Sequence, residues 1–160
     1  MVSRTAVGID RWGRGSPQRS GEGEIVAKAR EMLDTYPRAF NVDAEVLAAT
    51  IEALVECANT CTQCADACLS EEGLSTELAK CIRLDLDCAD LCTATSRVVS
   101  RQTEYDANVT RPVLEACAAV CKSCGDECER HGHHMAHCRI CAESCRRCEQ
   151  ACRELLGVLD

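Results

Sequence analysis

Aromatic residues are almost missing from this 160-residue sequence: one Trp, two Tyr and one Phe make up 2% of it. An interior of rings packed on leucine is therefore excluded, yet hydrophobic residues reach 46%, enough for a chain of this length to bury a core as one domain. There is no apolar run of about 18 residues, so the sequence offers no helix able to span a membrane. Basic charge is scarce too. Lys and Arg number 18 against 26 Asp and Glu, for a net charge of −8 and a pI near 5.0. Without a basic stripe or stacking aromatics, nucleic acid and anionic membranes are poor partners. The opening stretch MVSRTAVGIDRWGRGSPQRSGEG has no continuous apolar segment, small-residue cleavage site or twin arginine. It carries no export signal, and a cytoplasmic protein is expected.

What abounds is cysteine, with 16 residues. Such a density suits a secreted disulfide scaffold, but in a reducing cytosol many cysteines point to metal or catalysis. Free Cys is also a small hydrophobe that belongs inside, so it is the candidate to fill the space that rings leave.

Residues 1–23 are rich in Gly, Ser and Arg without hydrophobic period, and read as a disordered tail with no role in the fold. From 24 to 36, Ile25, Ala29, Met32 and Leu33 fall on one face of a short accessory helix that Pro37 closes. Asp43 caps the next helix, with Glu45 in its first turn, and Gly73 stops it. A further helix runs from Ser75 or Thr76 to about Gln102. Pro112 marks the start of another, over about 110–130. Gly132 separates it from a last helix over about 133–156, ended by Gly157. Short connections imply antiparallel neighbours. The expected fold is all-α: an antiparallel up-down-up-down four-helix bundle over 43–157, within a single domain over 24–160.

The cysteines follow the helical period. Cys57, Cys61, Cys64 and Cys68 are spaced four, three, four, as are Cys117, Cys121, Cys124 and Cys128. The last helix carries Cys138, Cys141, Cys145, Cys148 and Cys152. The helix between the first two carries Cys81, Cys88 and Cys92, with Asp85 standing where a cysteine is expected. This spacing puts each stripe on one inward face. Taking Gly73 and Gly132 as turn centres, Cys64, Cys81, Cys124 and Cys141 should share a level. Cys61, Asp85, Cys121 and Cys145 should form a second, and Cys57, Cys88, Cys117 and Cys148 a third. At ~1.5 Å rise per residue the thiols extend for roughly 20 Å along the bundle. Beyond them Leu47, Ile51, Leu54, Val99, Val113, Leu114, Leu155 and Leu159 make a dry aliphatic plug. At the other end His131, His133, His134, Met135 and His137 line the turn. His131 and His134 continue the stripes, and His133 falls off them.

Inert core cysteines would forgo the packing that Leu supplies, and same-helix neighbours with Cβ atoms ~5–6 Å apart are too distant for disulfides. Metal binding is the reading that remains. Zinc favours closed four-ligand sites, and iron–sulfur clusters need looped CxxC runs and separate cavities. Copper(I) is soft, accepts few ligands and bridges thiolates in series. It also replaces thiol protons charge for charge, so no divalent charge accumulates in a low-dielectric core. Asp85 is either a hydrogen-bonded core carboxylate or a weak ligand. A zinc or cadmium thiolate buffer of the metallothionein kind is the alternative. A redox enzyme would need a βαβ context that is absent, so no catalytic residue is assigned.

The CxxxCxxCxxxC stripes at 57–68 and 117–128, the five-cysteine helix 138–152 and the HxHHMxH turn resemble the cytosolic copper storage proteins, over about residues 43–157. That resemblance implies a tetrameric four-helix bundle holding many copper(I) ions per subunit on its core cysteines, loaded through a histidine-bearing mouth. Copper chaperones or low-molecular-weight thiols are the expected donors. Asp85 and the long N-terminal tail have no counterpart in that resemblance.

Overall fold

The computed structural model describes residues 22–39, 42–73 and 76–159, with side chains from residue 28 onwards. The disordered tail expected over 1–23 falls almost wholly outside these residues. Its last two residues are instead helical, because the first helix, α1, spans Glu22–Asp34. Four longer helices follow: α2 (Ala44–Leu69), α3 (Ala79–Val99), α4 (Ala107–His131) and α5 (Ala136–Val158). No strand occurs among the described residues.

Local chemistry accounts for most helix ends. The Asp43 carboxylate accepts hydrogen bonds from the backbone N–H of Glu45 at 2.8 Å and of Val46 at 3.2 Å, satisfying two of the N–H groups a helix start leaves over. Asp106 does the same for Asn108 at 2.9 Å. That cap starts α4 ahead of Pro112, so the proline lies inside the helix rather than at its start. Gly73 adopts φ +74° in the α2–α3 connection, a conformation that favours glycine. Gly157 does not end α5, which runs on to Val158. There the Arg111 guanidinium of α4 donates to the carbonyls of Leu156 and Leu159, supplying partners for a C-terminus without a glycine cap.

The four long helices form a closed square in which α2 packs on α3, α3 on α4, α4 on α5 and α5 back on α2. The backbones of the diagonal pairs stay further apart, so the side chains on the four inward faces fill the axis and meet across it, as Cys92 and Cys148 do at 3.8 Å. α1 lies outside the square against α2 alone. Its Leu33 is buried, but Met32, expected on the same inward face, is 71% exposed. At one end of the axis Leu47, Leu54, Leu114 and Leu155, each no more than 1% exposed, make the aliphatic plug with Val99 and Leu159. Ile51 and Val113 are partly buried beside it. No described helix is long and apolar enough to cross a membrane.

Candidate metal centre

All sixteen cysteines face the axis. None is more than 2% exposed, and all are free thiols. A helix repeats nearly every seven residues over two turns, so spacings of three and four hold one side in register for several turns. The square closes four such sides on one another. Sulfur atoms from different helices then approach to 3.6 Å (Cys61 and Cys145, Cys81 and Cys128, Cys92 and Cys117) and to 3.7 Å (Cys68 and Cys138, Cys88 and Cys121). Along one helix Cys57 and Cys61 lie 3.8 Å apart. A disulfide bond of about 2.05 Å is far shorter. Two thiolates each ~2.3 Å from one ion stand ~3.8 Å apart at a tetrahedral angle and ~4.0 Å apart at a trigonal one. The spacing is that of metal ligands.

The ligand sets interlock. Cys57, Cys61, Cys88 and Cys145 have their sulfurs within 4.8 Å of one another, as do Cys57, Cys92, Cys121 and Cys148, and Cys61, Cys124, Cys141 and Cys145. Towards the histidine end come Cys64, Asp85, Cys128 and Cys141, then Cys64, Cys68 and Cys138. Cys57, Cys61, Cys64, Cys141 and Cys145 each belong to two of these sets, which is the arrangement of bridging thiolates. Cys117 and Cys152 close the series next to the plug, both fully buried.

These levels differ from those expected about Gly73 and Gly132. Cys64 is level with Asp85 and Cys128 rather than with Cys81 and Cys124. Cys57 shares a set with Cys92, Cys121 and Cys148 besides the one it shares with the expected Cys88. The cause is the length of the connections: α2 ends at Leu69 while α3 begins only at Ala79, and α4 ends at His131 while α5 begins at Ala136. Each hairpin therefore folds about a point further along the chain than its glycine, and the opposing stripe slides by about one turn.

Asp85 is the one carboxylate within the thiol column, fully buried on α3. Its Oδ1 accepts from the thiols of Cys124 at 3.0 Å, Cys128 at 3.3 Å and Cys141 at 3.3 Å. Loss of water, followed by the charge of Cys141, pushes its carboxyl up to about 8. Burial likewise pushes the Cys68 thiol up, so an ion arriving there takes a proton's place.

The histidine end is more selective than its sequence implies. His131, in the last turn of α4, and His137, in the first turn of α5, are about three-quarters buried. Their Nε2 atoms are buried with no hydrogen-bond partner. His134 does not continue the stripe: α4 stops at His131, and the N–H groups of His134 and Met135 both turn back to the His131 carbonyl at 3.0 Å. That turn leaves His134 as exposed as His133 and sets Met135, partly buried, against the core edge. Two acids escaped the sequence reading. Glu127, 6% exposed, stands 3.6 Å from His131 Nε2 while holding Lys80 at 2.7 Å and Arg130 at 3.3 Å. The Lys80 ammonium holds its carboxyl below the usual range. Glu71 lies 4.0 Å from His137 Nδ1. The spacing of Glu127, one turn before His131, was the available signal; Glu71 reaches His137 only through tertiary packing.

A helical square with an axis of mutually bridging thiols, plugged at one end and imidazole-bearing at the other, defines a multinuclear thiolate metal-binding bundle. The chain belongs to the copper storage protein family, whose model matches residues 43–157. It is similar to a copper storage protein from Streptomyces lividans solved with 10 copper equivalents: identity is 59%, coverage is 82% of this chain and 99% of that one, and the TM-score is 0.80. Apo-CSP3, copper storage protein 3 from Bacillus subtilis, is 33% identical over 68% of this chain and 96% of its own, with a TM-score of 0.56. The uncharacterized cysteine-rich protein YhjQ of Bacillus subtilis (strain 168) is 39% identical over 96 residues, 60% of this chain and 82% of that protein.

Proposed function

We propose that this protein stores copper(I) as a row of ions bridged by the sixteen core thiolates, admitted at the end where His131 and His137 stand. The observation that carries this reading is the sharing of Cys57, Cys61, Cys64, Cys141 and Cys145 between neighbouring ligand sets. Closed zinc sites keep four ligands to themselves, whereas a soft monovalent ion can be strung along shared thiolates. Each copper(I) replaces one thiol proton, so the filled column adds little net charge to an interior that cannot solvate it. Asp85 accepts hydrogen bonds from three thiols at once, which fits a group that orients those sulfurs towards an arriving ion. The ligand set is then the sixteen cysteines with Asp85, and His131, His137 and Met135 at the mouth.

Storage requires no turnover, so on this reading the role is non-enzymatic. The reading extends to a cytoplasmic homotetramer whose subunit is one unit over residues 24–160. Its cargo arrives from copper chaperones or low-molecular-weight thiols. Anaerobic titration with copper(I) against a chelator of known affinity tests the core of it. Saturation is expected at about ten or more equivalents per chain, since shared thiolates serve more than one ion each. An end point at two to four equivalents, or preferential retention of zinc, would replace the row by isolated tetrahedral sites.

A further inference from the structure

The match to the copper storage family begins at residue 43, so α1 lies outside the part of the chain that the family model describes. Between α1 and α2 lies a groove of about 490 Å³, walled by Met32, Leu33 and Tyr36 on one side and by Ile51 and Val55 on the other. Met32 is 71% and Val55 36% exposed. Among these apolar walls sits Glu52, whose Oε1 is buried with no hydrogen-bond partner. The one cation lining the groove is committed elsewhere: Lys28 holds Glu31 at 2.7 Å. A buried carboxylate oxygen left without a partner is costly. The groove therefore asks for an occupant with an apolar body and a positive charge.

The chain carries one. The 21 residues ahead of Glu22 contain four arginines (Arg4, Arg11, Arg14, Arg19) against a single Asp10, in a protein whose net charge is −8. They also contain Trp12, the only tryptophan of the sequence. We propose that this groove is the docking site of the chain's own N-terminal segment, with the Trp12 indole against Met32, Leu33, Ile51 and Val55 and the guanidinium of Arg11 or Arg14 at Oε1 of Glu52. Reach is sufficient: ten residues of extended chain span up to ~33 Å, and Met32 lies only ~15 Å along α1 from Glu22. Thioether and indole make favourable contacts, and an arginine beside an aromatic ring pairs with a carboxylate in the geometry guanidinium prefers. A second copy of the chain fits less well, since its surface brings more acid to an acidic groove.

A single tryptophan makes the test direct. In the full-length, reduced, metal-free protein, indole emission should be shifted to the blue of free tryptophan, and acrylamide quenching should be several-fold weaker. Both should be independent of protein concentration. Val55→Glu, at a partly exposed position, and Glu52→Gln, which keeps the shape but removes the charge, should each restore quenching towards that of free tryptophan with unchanged far-ultraviolet circular dichroism. If Val55→Glu lost helix, Glu52→Gln alone would decide. Water-like emission in the unmutated protein overturns the proposal. So does protection that fades on dilution, which assigns the groove to a second copy, or protection that survives both substitutions, which places the indole elsewhere.

Discussion

A single carboxylate among sixteen thiols sets much of the bundle's response to pH. Folded Asp85 binds its proton up to about 8, far above the ~4 of an exposed aspartate. A raised folded value means that the folded state gains stability from this group below about pH 4, loses it progressively as pH rises towards 8, and has none of it above. The metal-free protein should therefore become easier to unfold across that window. In Asp85→Asn the amide is neutral throughout and its NH2 group can donate to a neighbouring sulfur, so the decline should flatten and the variant should exceed the parent at pH 8. Urea midpoints of the two proteins at several pH values measure it; parallel profiles would show that Asp85 already ionises freely inside the bundle. At the mouth, Glu127 plays a different part. Tied to Lys80, Arg130 and His131, it joins α3 to α4 where the column opens.

The helices divide their length between two tasks. Towards one end each contributes leucine or valine to the plug, and towards the other it contributes thiols. Leu54→Ala should then cost ~2–5 kcal/mol of stability, as expected for a fully buried leucine, while leaving the number of bound copper ions unchanged. Chemical unfolding and metal analysis of the same sample separate the two effects. A fall in both would mean that plug and column are not separable. At the opposite end, α4 and α5 each present one imidazole with an unpartnered Nε2, from His131 and His137. Neutral imidazole binds a soft ion without outcompeting thiolate. Replacing both by alanine is expected to slow copper(I) transfer from a chelator in stopped flow by roughly ten-fold or more, the size of effect seen when metal-ligand shells are disturbed, with full capacity retained. Capacity cut by half would make the histidines storage ligands instead.

Taken whole, the molecule buries enough apolar surface that it is expected to hold together without metal. Sixteen buried thiols behave as small hydrophobes, the plug buries its leucines completely, and the side-chain caps on α2 and α4 are in place. The reduced apoprotein should give a strongly helical far-ultraviolet circular dichroism spectrum that changes little on loading. A coil spectrum that becomes helical only with copper(I) would place this chain with metal-coupled folders.

The sequence alone determined the periodic part of this protein. Spacings of three and four put every cysteine, and Asp85, on an inward face, because helical geometry fixes which residues share a side before any partner is chosen. Asp43 announced the start of α2 because a cap needs only its neighbours in the chain. Tertiary structure decided everything that depends on how far one helix slides along another. The levels at which the thiols meet followed the connections from Leu69 to Ala79 and from His131 to Ala136, not Gly73 and Gly132, since a loop's conformation sets the hairpin's register and no side-chain period encodes it. The end of α4 at His131 turned His134 outward, which no stripe could reveal. The meeting of Glu71 with His137 and the exposure of Met32 and burial of Glu52 Oε1 beside α1 likewise arise between elements remote in sequence, where packing of whole helices, not local spacing, fixes which groups touch.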